Sequence, residues 1–339
     1  MKIKFIKNTP IENIPIYYST NYNTIFSEND DALYKNIEID FGQDKKVFIP
    51  ILLKEIEKDV FESYSAYGYS GFYSQNLEEK DLLKENFHKF KEFMKENKII
   101  NMFLRNSPYL CNENFIDDNY NFFNRKTYSI RLQKYEDIDD FARQIKQKVR
   151  WSINYARRNH IKIYFKKYKE LNESELKRFY DVYVLTMNHR DADEYYQFSY
   201  DFFKKHFDQL KDYCELALAT NDKNEIIAGA MFLLDNCDMV HYHFSALNRE
   251  FSKYQVMELL LGEAIVRYSK MNKKNFHLGG GLSLDESDGL SRFKKKFSTE
   301  INNYYISKII FDHKKYTEIR EKYGISNNKM FLIKDAIKL

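Results

Sequence analysis

The order of apolar runs between Ile161 and Phe311 constrains the fold more than any single residue does. Strand-length runs stand at Ile161–Lys166, Cys214–Thr220, Ile226–Leu234 and Met239–Ala246, with helices expected at Ser174–Met187 and Ser199–Leu210 between the first two. The turn Asn221–Asn224 is short enough to make a hairpin of its flanking strands. A helix from about Tyr254 to Met271 follows, then strand Asn275–Leu278, a glycine-rich loop, a short basic helix and a last strand Tyr304–Phe311. Antiparallel strands followed by a helix and a further strand predict an α/β (α+β) fold, a mixed sheet covered by helices.

The first half uses the same materials. Two strands surround the turn Gly42-Gln43-Asp44 between Ala32 and Leu53, a Tyr-rich segment spans Phe61 to Tyr73, and a helix is expected from about Leu77 to Asn97. Strands follow at Ile100–Arg105 and Lys126–Leu132. One long helix is then expected from Ile138 to Asn159, because Phe141, Ile145, Val149, Ile153 and Ala156 make a single apolar stripe. Two such halves suggest a pseudo-duplicated chain, with domains at 1–140 and 141–339, although the halves share no visible sequence identity.

The chain of 339 residues is long enough for two domains, and 43% hydrophobic with 31% charged residues is ordinary for a globular protein. The 28 Tyr and 28 Phe accompany an abundance of Lys, Ile and Asn that an AT-rich genome would produce unselected, so the aromatic excess has little weight by itself. A net charge of +4 permits anionic partners without requiring them. Cys111, Cys214 and Cys237 are odd in number and lack metal-ligand spacing, which predicts reduced thiols. The N-terminus has no apolar signal core and no run reaches membrane-span length, so a soluble cytoplasmic protein without a membrane span is expected.

Four segments carry candidate chemistry. In FHLGGGLSLDESDGLSRFKKKFS, Phe276 to Ser298, glycines at 279–281 let a ligand approach the backbone. Asp288 is placed to cap a helix bearing Lys294, Lys295 and Lys296. With Phe293 and Phe297 inward, one lysine can meet a phosphate or a developing negative charge; a solvated basic helix is the plain alternative. In HYHFSA, strand alternation puts His241, His243 and Ser245 on one face and Tyr242, Phe244 and Ala246 on the other. A third metal ligand is missing there, so no metal is expected, and a histidine base is weighed against hydrogen-bonded sheet histidines. SYSAYGYSGFYS, Ser63 to Ser74, presents tyrosine rings around Gly68 and Gly71, suited to a sugar or a peptide stem or simply packed on itself. The basic stretch Arg143 to Lys167 could track phosphates, but a solvated helix face explains it as well. The chain contains no P-loop or dinucleotide glycine fingerprint.

Together these segments resemble the Fem-type transferases and related GNAT-like acyltransferases of bacterial cell-surface glycan pathways. The likeness rests on Ser65-Ala66-Tyr67-Gly68-Tyr69-Ser70-Gly71, on Met102-Phe103-Leu104-Arg105 with Pro108, and on Val149-Arg150 through Ala156-Arg157. It continues in Thr186-Met187 to Arg190 with Tyr195-Tyr196-Gln197-Phe198-Ser199, and in Gly279-Gly280 with Leu290 to Phe297. Ala66 departs from the proline usual in the first motif.

The resemblance implies two GNAT-like domains and an acceptor bound in a cleft. It gives Lys294, beside Phe293, the polarisation of the donor carbonyl or the holding of acceptor phosphate. It makes Tyr67, Tyr69, Arg105, Arg190, Tyr195, Tyr242, Gly279, Gly280 and Phe293 candidate substrate-binding residues, and His243 is the expected base. The expected reaction is transfer of an acyl group, acetyl first among them, onto an amine of a cell-envelope amino sugar or peptidoglycan precursor. An aminoacyl-tRNA-dependent transferase extending a peptidoglycan cross-bridge is the runner-up, and a non-catalytic module binding such precursors is the alternative from another class.

The donor is the open point. Members using aminoacyl-tRNA often carry a coiled-coil arm, whereas here Leu210 is followed almost at once by strand Cys214–Thr220, which favours acyl-CoA over tRNA. Yet the stretch Asn248 to Gln255, where acetyl-CoA users place a glycine-rich pyrophosphate turn, has no glycine.

Overall fold

The computed structural model describes residues 1–8, 14–76, 79–189, 196–284, 286–325 and 330–337. They fall into two compact units: Met1–Glu12, Tyr17–Arg125 and Asn303–Leu339 form the first, Asn13–Ile16 and Lys126–Asn302 the second. The boundary expected at 140/141 lies inside a helix of the second unit, and the last residues of the chain return to the first.

In the first unit, β1 (Lys2–Ile6), α1 (Thr20–Asn29), β2 (Leu33–Asp40), β3 (Lys46–Glu57) and β4 (Val60–Tyr64) precede α2 (Glu79–Glu85), α3 (Phe87–Glu96) and β5 (Ile99–Arg105). The expected helix through Leu82 and Met94 is thus two helices. Asn86 breaks it, leaving helical geometry at φ −107, ψ 14 while its side-chain amide donates to the Leu82 carbonyl at 3.0 Å. Strands β1 to β4 pair antiparallel in sequence order, and β4 then pairs parallel with β5.

The second unit opens with β6 (Asn121–Arg131), α4 (Ile138–Gln144), α5 (Gln147–Arg158), β7 (Lys162–Lys167), α6 (Glu173–His189) and α7 (Tyr200–Leu210). There follow β8 (Cys214–Thr220), β9 (Ile226–Leu234), β10 (Met239–Leu247), α8 (Val256–Lys270), β11 (Asn275–Gly280) and α9 (Gly289–Phe297). The single helix expected from Ile138 to Asn159 is broken where Ile145 turns extended, at φ −87, ψ 163. The apolar stripe holds on both sides of the break, since Phe141, Val149, Ile153 and Ala156 all enter one core with Leu260, Ile265, Phe276 and Phe232. Strands β7 to β10 pair antiparallel, β10 pairs parallel with β11, and β11 pairs antiparallel with β6.

The first unit closes in the same way. β12 (Glu300–Ile310) pairs antiparallel with β5, from Ile306↔Arg105 to Ile310↔Asn101, and α10 (His313–Lys322) and α11 (Lys334–Ile337) follow. Each unit therefore holds a four-strand antiparallel meander, a parallel fifth strand and an antiparallel sixth. The mixed sheets covered by helices and the pseudo-duplication read from the sequence are both present. The sixth strand of each unit comes from the chain segment that follows the fifth strand of the other.

The C-terminal segment is bound through Glu62, buried on β4. Its carboxylate accepts from the Asn101 side-chain amide and from the backbone N–H groups of Ile333 and Lys334, all at 2.7 Å. Burial raises the carboxyl above its ordinary pKa, and these three donors oppose the shift.

Candidate functional site

In the second unit the parallel strands β10 and β11 pair over three rungs only, Met239↔Asn275, Val240↔Phe276 and His241↔His277. Both strands bulge immediately beyond, β10 between Tyr242 and Phe244 and β11 between His277 and Gly279. A bulge twists its strand and ends regular pairing, so the two strands fork after the third rung. Gly279 at φ 77 is one price of this bend, a backbone region that side chains rarely adopt.

α9 lies beyond the fork, and its start is fixed by Asp288. That carboxylate accepts from Leu290 N and Ser291 N at 2.9 Å and from Ser291 Oγ at 2.6 Å. Gly281 passes beneath this cap. A Cβ there would stand 1.8 Å from Ser291 Oγ and 2.4 Å from Asp288 Oδ2, so a side chain at this position would displace the cap. Of the three lysines on α9, Lys295 pairs with Glu286 at 3.4 Å and Lys296 with Glu258 at 3.0 Å. Lys294 is buried, 7% exposed. Its Nζ donates to the Gly280 carbonyl at 2.7 Å and stands 5.9 Å from the centroid of the Tyr242 ring. Lys294, Gly280 and Tyr242 are therefore brought together at the fork, with Gly279 on the same turn. Phe293 is half-buried against the core beside Phe297, at 5.7 Å between ring centroids.

The bulge overturns the alternation expected for HYHFSA. Tyr242 packs on Phe232, whereas Phe244 lies among Tyr183, Phe198 and Phe203 of the α6–α7 region, so the two rings face opposite sides of the sheet. His243 follows Phe244: its ring lies 4.1 Å from that ring and 5.6 Å from His206 of α7. Burial, with His206 and His241 adding to it, depresses the His243 imidazole well below its ordinary range.

Sequence reasoning missed His277. It is 1% exposed, sits at the last rung before the fork, and its pKa is lowered by burial first and by the Lys294 charge second. Its ring lies 5.9 Å from that of its rung partner His241. His241 Nε2 is 3.5 Å from Asp235 Oδ2. The overlooked signal was a lone polar residue inside the apolar strand FHL, directly before the glycines.

The remaining candidates lie in the first unit. Tyr69 makes edge contacts with Tyr17 at 5.8 Å and Tyr304 at 5.2 Å, and Tyr67 stacks on Phe26 at 6.2 Å. Arg105 donates to the Ser65 carbonyl at 2.9 Å and lies over the Phe103 ring at 5.0 Å. Tyr67, Tyr69 and Arg105 thus share one loop-and-strand region held by Ser65. Arg190 and Tyr195 lie outside the described residues. Among the described residues there is no group of three metal-ligating side chains and no helix long and apolar enough to cross a membrane.

A GNAT fold implies acyl-CoA, with pyrophosphate on the N-terminus of the helix after the fourth strand, which here is α8. Its N-cap Gln255 is left-handed, and Gln255 Oε1 accepts from Ser152 Oγ at 3.2 Å. The first turn carries Glu258, buried and paired with Lys296. The stretch 248–255 ahead of α8 has no glycine to bring a pyrophosphate onto the backbone, and the Glu258–Lys296 ion pair occupies the first turn. These residues do not fit a backbone cradle for CoA.

Residues 136–295, a little under half of the chain, match the model of the acetyltransferase (GNAT) domain. No curated protein matches the chain by sequence. The solved structure of FemX is similar over 93% of this chain and 99% of its own, with TM-score 0.68 and 13% identity. L-PGS from Bacillus licheniformis is similar over 86% and 87%, with TM-score 0.55 and 11% identity. A tandem GNAT protein from the clavulanic acid biosynthesis pathway is similar over 91% and 98%, with TM-score 0.51 and 5% identity. The chain has the GNAT-like acyltransferase fold in the tandem, Fem-type arrangement that its motifs resemble.

Proposed function

We propose that this protein transfers an acyl or aminoacyl group onto an amine of a cell-envelope sugar or peptidoglycan precursor. One observation carries the reading: a buried lysine ammonium, Lys294, held at the mouth of a forked parallel strand pair against the Gly280 carbonyl. Acyl transfer develops negative charge on the donor carbonyl oxygen, and a preorganised cation in a water-poor site is the group that lowers that barrier. Lys294 supplies the charge, Tyr242 shapes the place it occupies, and Gly279 and Gly280 leave the backbone open to the ligand. Tyr67, Tyr69 and Arg105 are the acceptor-binding candidates of the first unit.

Of the two donors expected from the sequence, the glycine-free stretch 248–255 before α8 favours an aminoacyl ester carried on tRNA over acyl-CoA. No coiled-coil arm is needed for this: the connection from α7 to β8 is the single turn Lys211–Tyr213, so a tRNA donor would be held by other surfaces. A thermal-shift comparison of acetyl-CoA, free CoA, UDP-linked amino sugars and charged tRNA at equal concentration tests the reading, because a ligand preferring the folded state raises the melting temperature. The expected result is stabilisation by a UDP-amino sugar and by charged tRNA, followed by transfer when both are present. Stabilisation by acetyl-CoA, with acetylation of the sugar, would reverse the choice of donor. Binding without transfer from any donor would leave only a binding module.

A further inference from the structure

The foot of the fork holds two buried imidazoles on adjacent strands, just short of the glycine turn that Lys294 meets. His277 of β11 and His241 of β10 occupy the last paired rung, 1% and 3% exposed. Behind His241 stands Asp235, 3% exposed, with Oδ2 at 3.5 Å from His241 Nε2. Asp235 is itself fixed, since its Oδ1 accepts from the backbone N–H groups of Cys237 and Met239 at 2.9 Å. The order along the sheet is Asp235, His241, His277 and then Lys294, whose charge is felt at His277. His243, one bulge further along β10, lies 5.6 Å from His206 of α7 between ring centroids.

We propose that His277 takes the proton released by the acceptor amine, with His241 and Asp235 acting through it as positioning residues. This rests on the transfer reading above. The amine nitrogen forms its bond to the donor carbonyl carbon while the proton it sheds passes to the His277 imidazole. The donor carbon–oxygen bond then breaks, and the imidazolium returns the proton to the departing alcohol, leaving an amide, a free alcohol and a neutral histidine. Asp235 stands behind His241, whose ring packs edge-on to His277 at 5.9 Å and so holds it in place, and a positioned general base contributes about 10²–10⁴-fold. Burial first, and the Lys294 charge second, keep the resting His277 imidazole neutral, hence ready to accept. Among the described residues, the charged and titratable groups around the ring include Lys294 from α9 and His241 from β10, with Asp235 and His243 beyond, while β6 presents Ser129 as its rung partner.

The test is the pH profile of turnover in the full-length protein with the donor and acceptor identified by thermal shift, for the unmodified chain, His277→Gln and Asp235→Asn. Expected are a kcat for His277→Gln lower by about 10²-fold or more at little changed KM, loss of the acid limb, and for Asp235→Asn an acid limb moved to lower pH. Full kcat with an unaltered acid limb in His277→Gln would overturn the proposal while leaving the transfer reading intact. Should His277→Gln fail to fold at pH 8, an unmoved acid limb in Asp235→Asn overturns it equally. Absence of transfer by the unmodified protein with every donor would overturn both.

Discussion

The Lys294 ammonium of α9 and the Tyr242 ring of β10 stand 5.9 Å apart, and the same ammonium donates to the Gly280 carbonyl at 2.7 Å. This contact joins helix, bulged strand and glycine turn at one cation. Replacing Lys294 by Ala is expected to lower kcat by about 10²–10³-fold, the cost typical of removing one oxyanion donor. Single-turnover rates beside a melting curve check it; a rate equal to the parent's would remove Lys294 from the chemistry.

Gly281 and Gly289 offer a matched pair of alanine substitutions on either side of Asp288. At Gly281 the new methyl would displace Ser291 Oγ and Asp288 Oδ2 and disturb the cap of α9, whereas at Gly289 nothing lies within 4 Å. Gly281→Ala should cost about 1–3 kcal/mol, and Gly289→Ala should be neutral or stabilising by up to about 1 kcal/mol. Urea midpoints with an unchanged slope separate the two.

Glu215 is fully buried on β8, where it accepts from Arg267 Nε at 2.8 Å, Arg267 Nη2 at 2.6 Å and Tyr268 Oη at 2.9 Å. Arg267→Met leaves that carboxylate without its cation. The expected loss is about 3–5 kcal/mol, and the double variant Arg267→Met with Glu215→Leu should recover much of it. A thermodynamic cycle on the four proteins measures the coupling.

Acid should weaken the second unit before its surface carboxylates titrate. Burial lowers His206 to about 4, with the Phe202 carbonyl opposing the shift, and His243 and His277 are also lowered. The unfolded chain therefore binds more protons than the folded one below the ordinary histidine pKa of about 6.5. By linkage, stability is full above that pH and is lost as pH falls from about 6.5 to about 4, by something on the order of 3 kcal/mol for His206 alone. His206→Phe should flatten this part of the curve. Urea melts at half-unit pH steps would read it, and a slope identical to the parent's would count against a neutral buried His206.

The meander of the second unit was legible because its pairings are local: β8, β9 and β10 follow one another through short turns. The amphipathic stripe from Phe141 to Ala156 was legible too, but the break at Ile145 was not, since apolar spacing survives a kink that keeps both sides on one core. Asn86 similarly interrupts α2 and α3 without interrupting the spacing of Leu83, Phe87 and Phe90. The strand β1, written KIKFI, reads as a charged terminus until β2 supplies its partner. At the site, Lys294 and its glycines could be found from a motif, and Asp288 as a cap from its chemistry. The position of His243 could not, because alternation holds only in an unbroken strand and the bulge at Tyr242 has no residue signature. The attachment of β12 to β5 depends on residues about two hundred positions apart, and nothing local announces such a pairing.

The interchange of sixth strands has a consequence for dissecting this protein. No single cut can release either half with a complete sheet, since a fragment ending before β6 forfeits β12 and one beginning with β6 at Asn121 carries β12 as a surplus. Isolated expression of either half therefore calls for grafting, by moving residues 300–337 behind a linker after Tyr120, and a rearranged gene of that kind is the natural vehicle for studying each half alone.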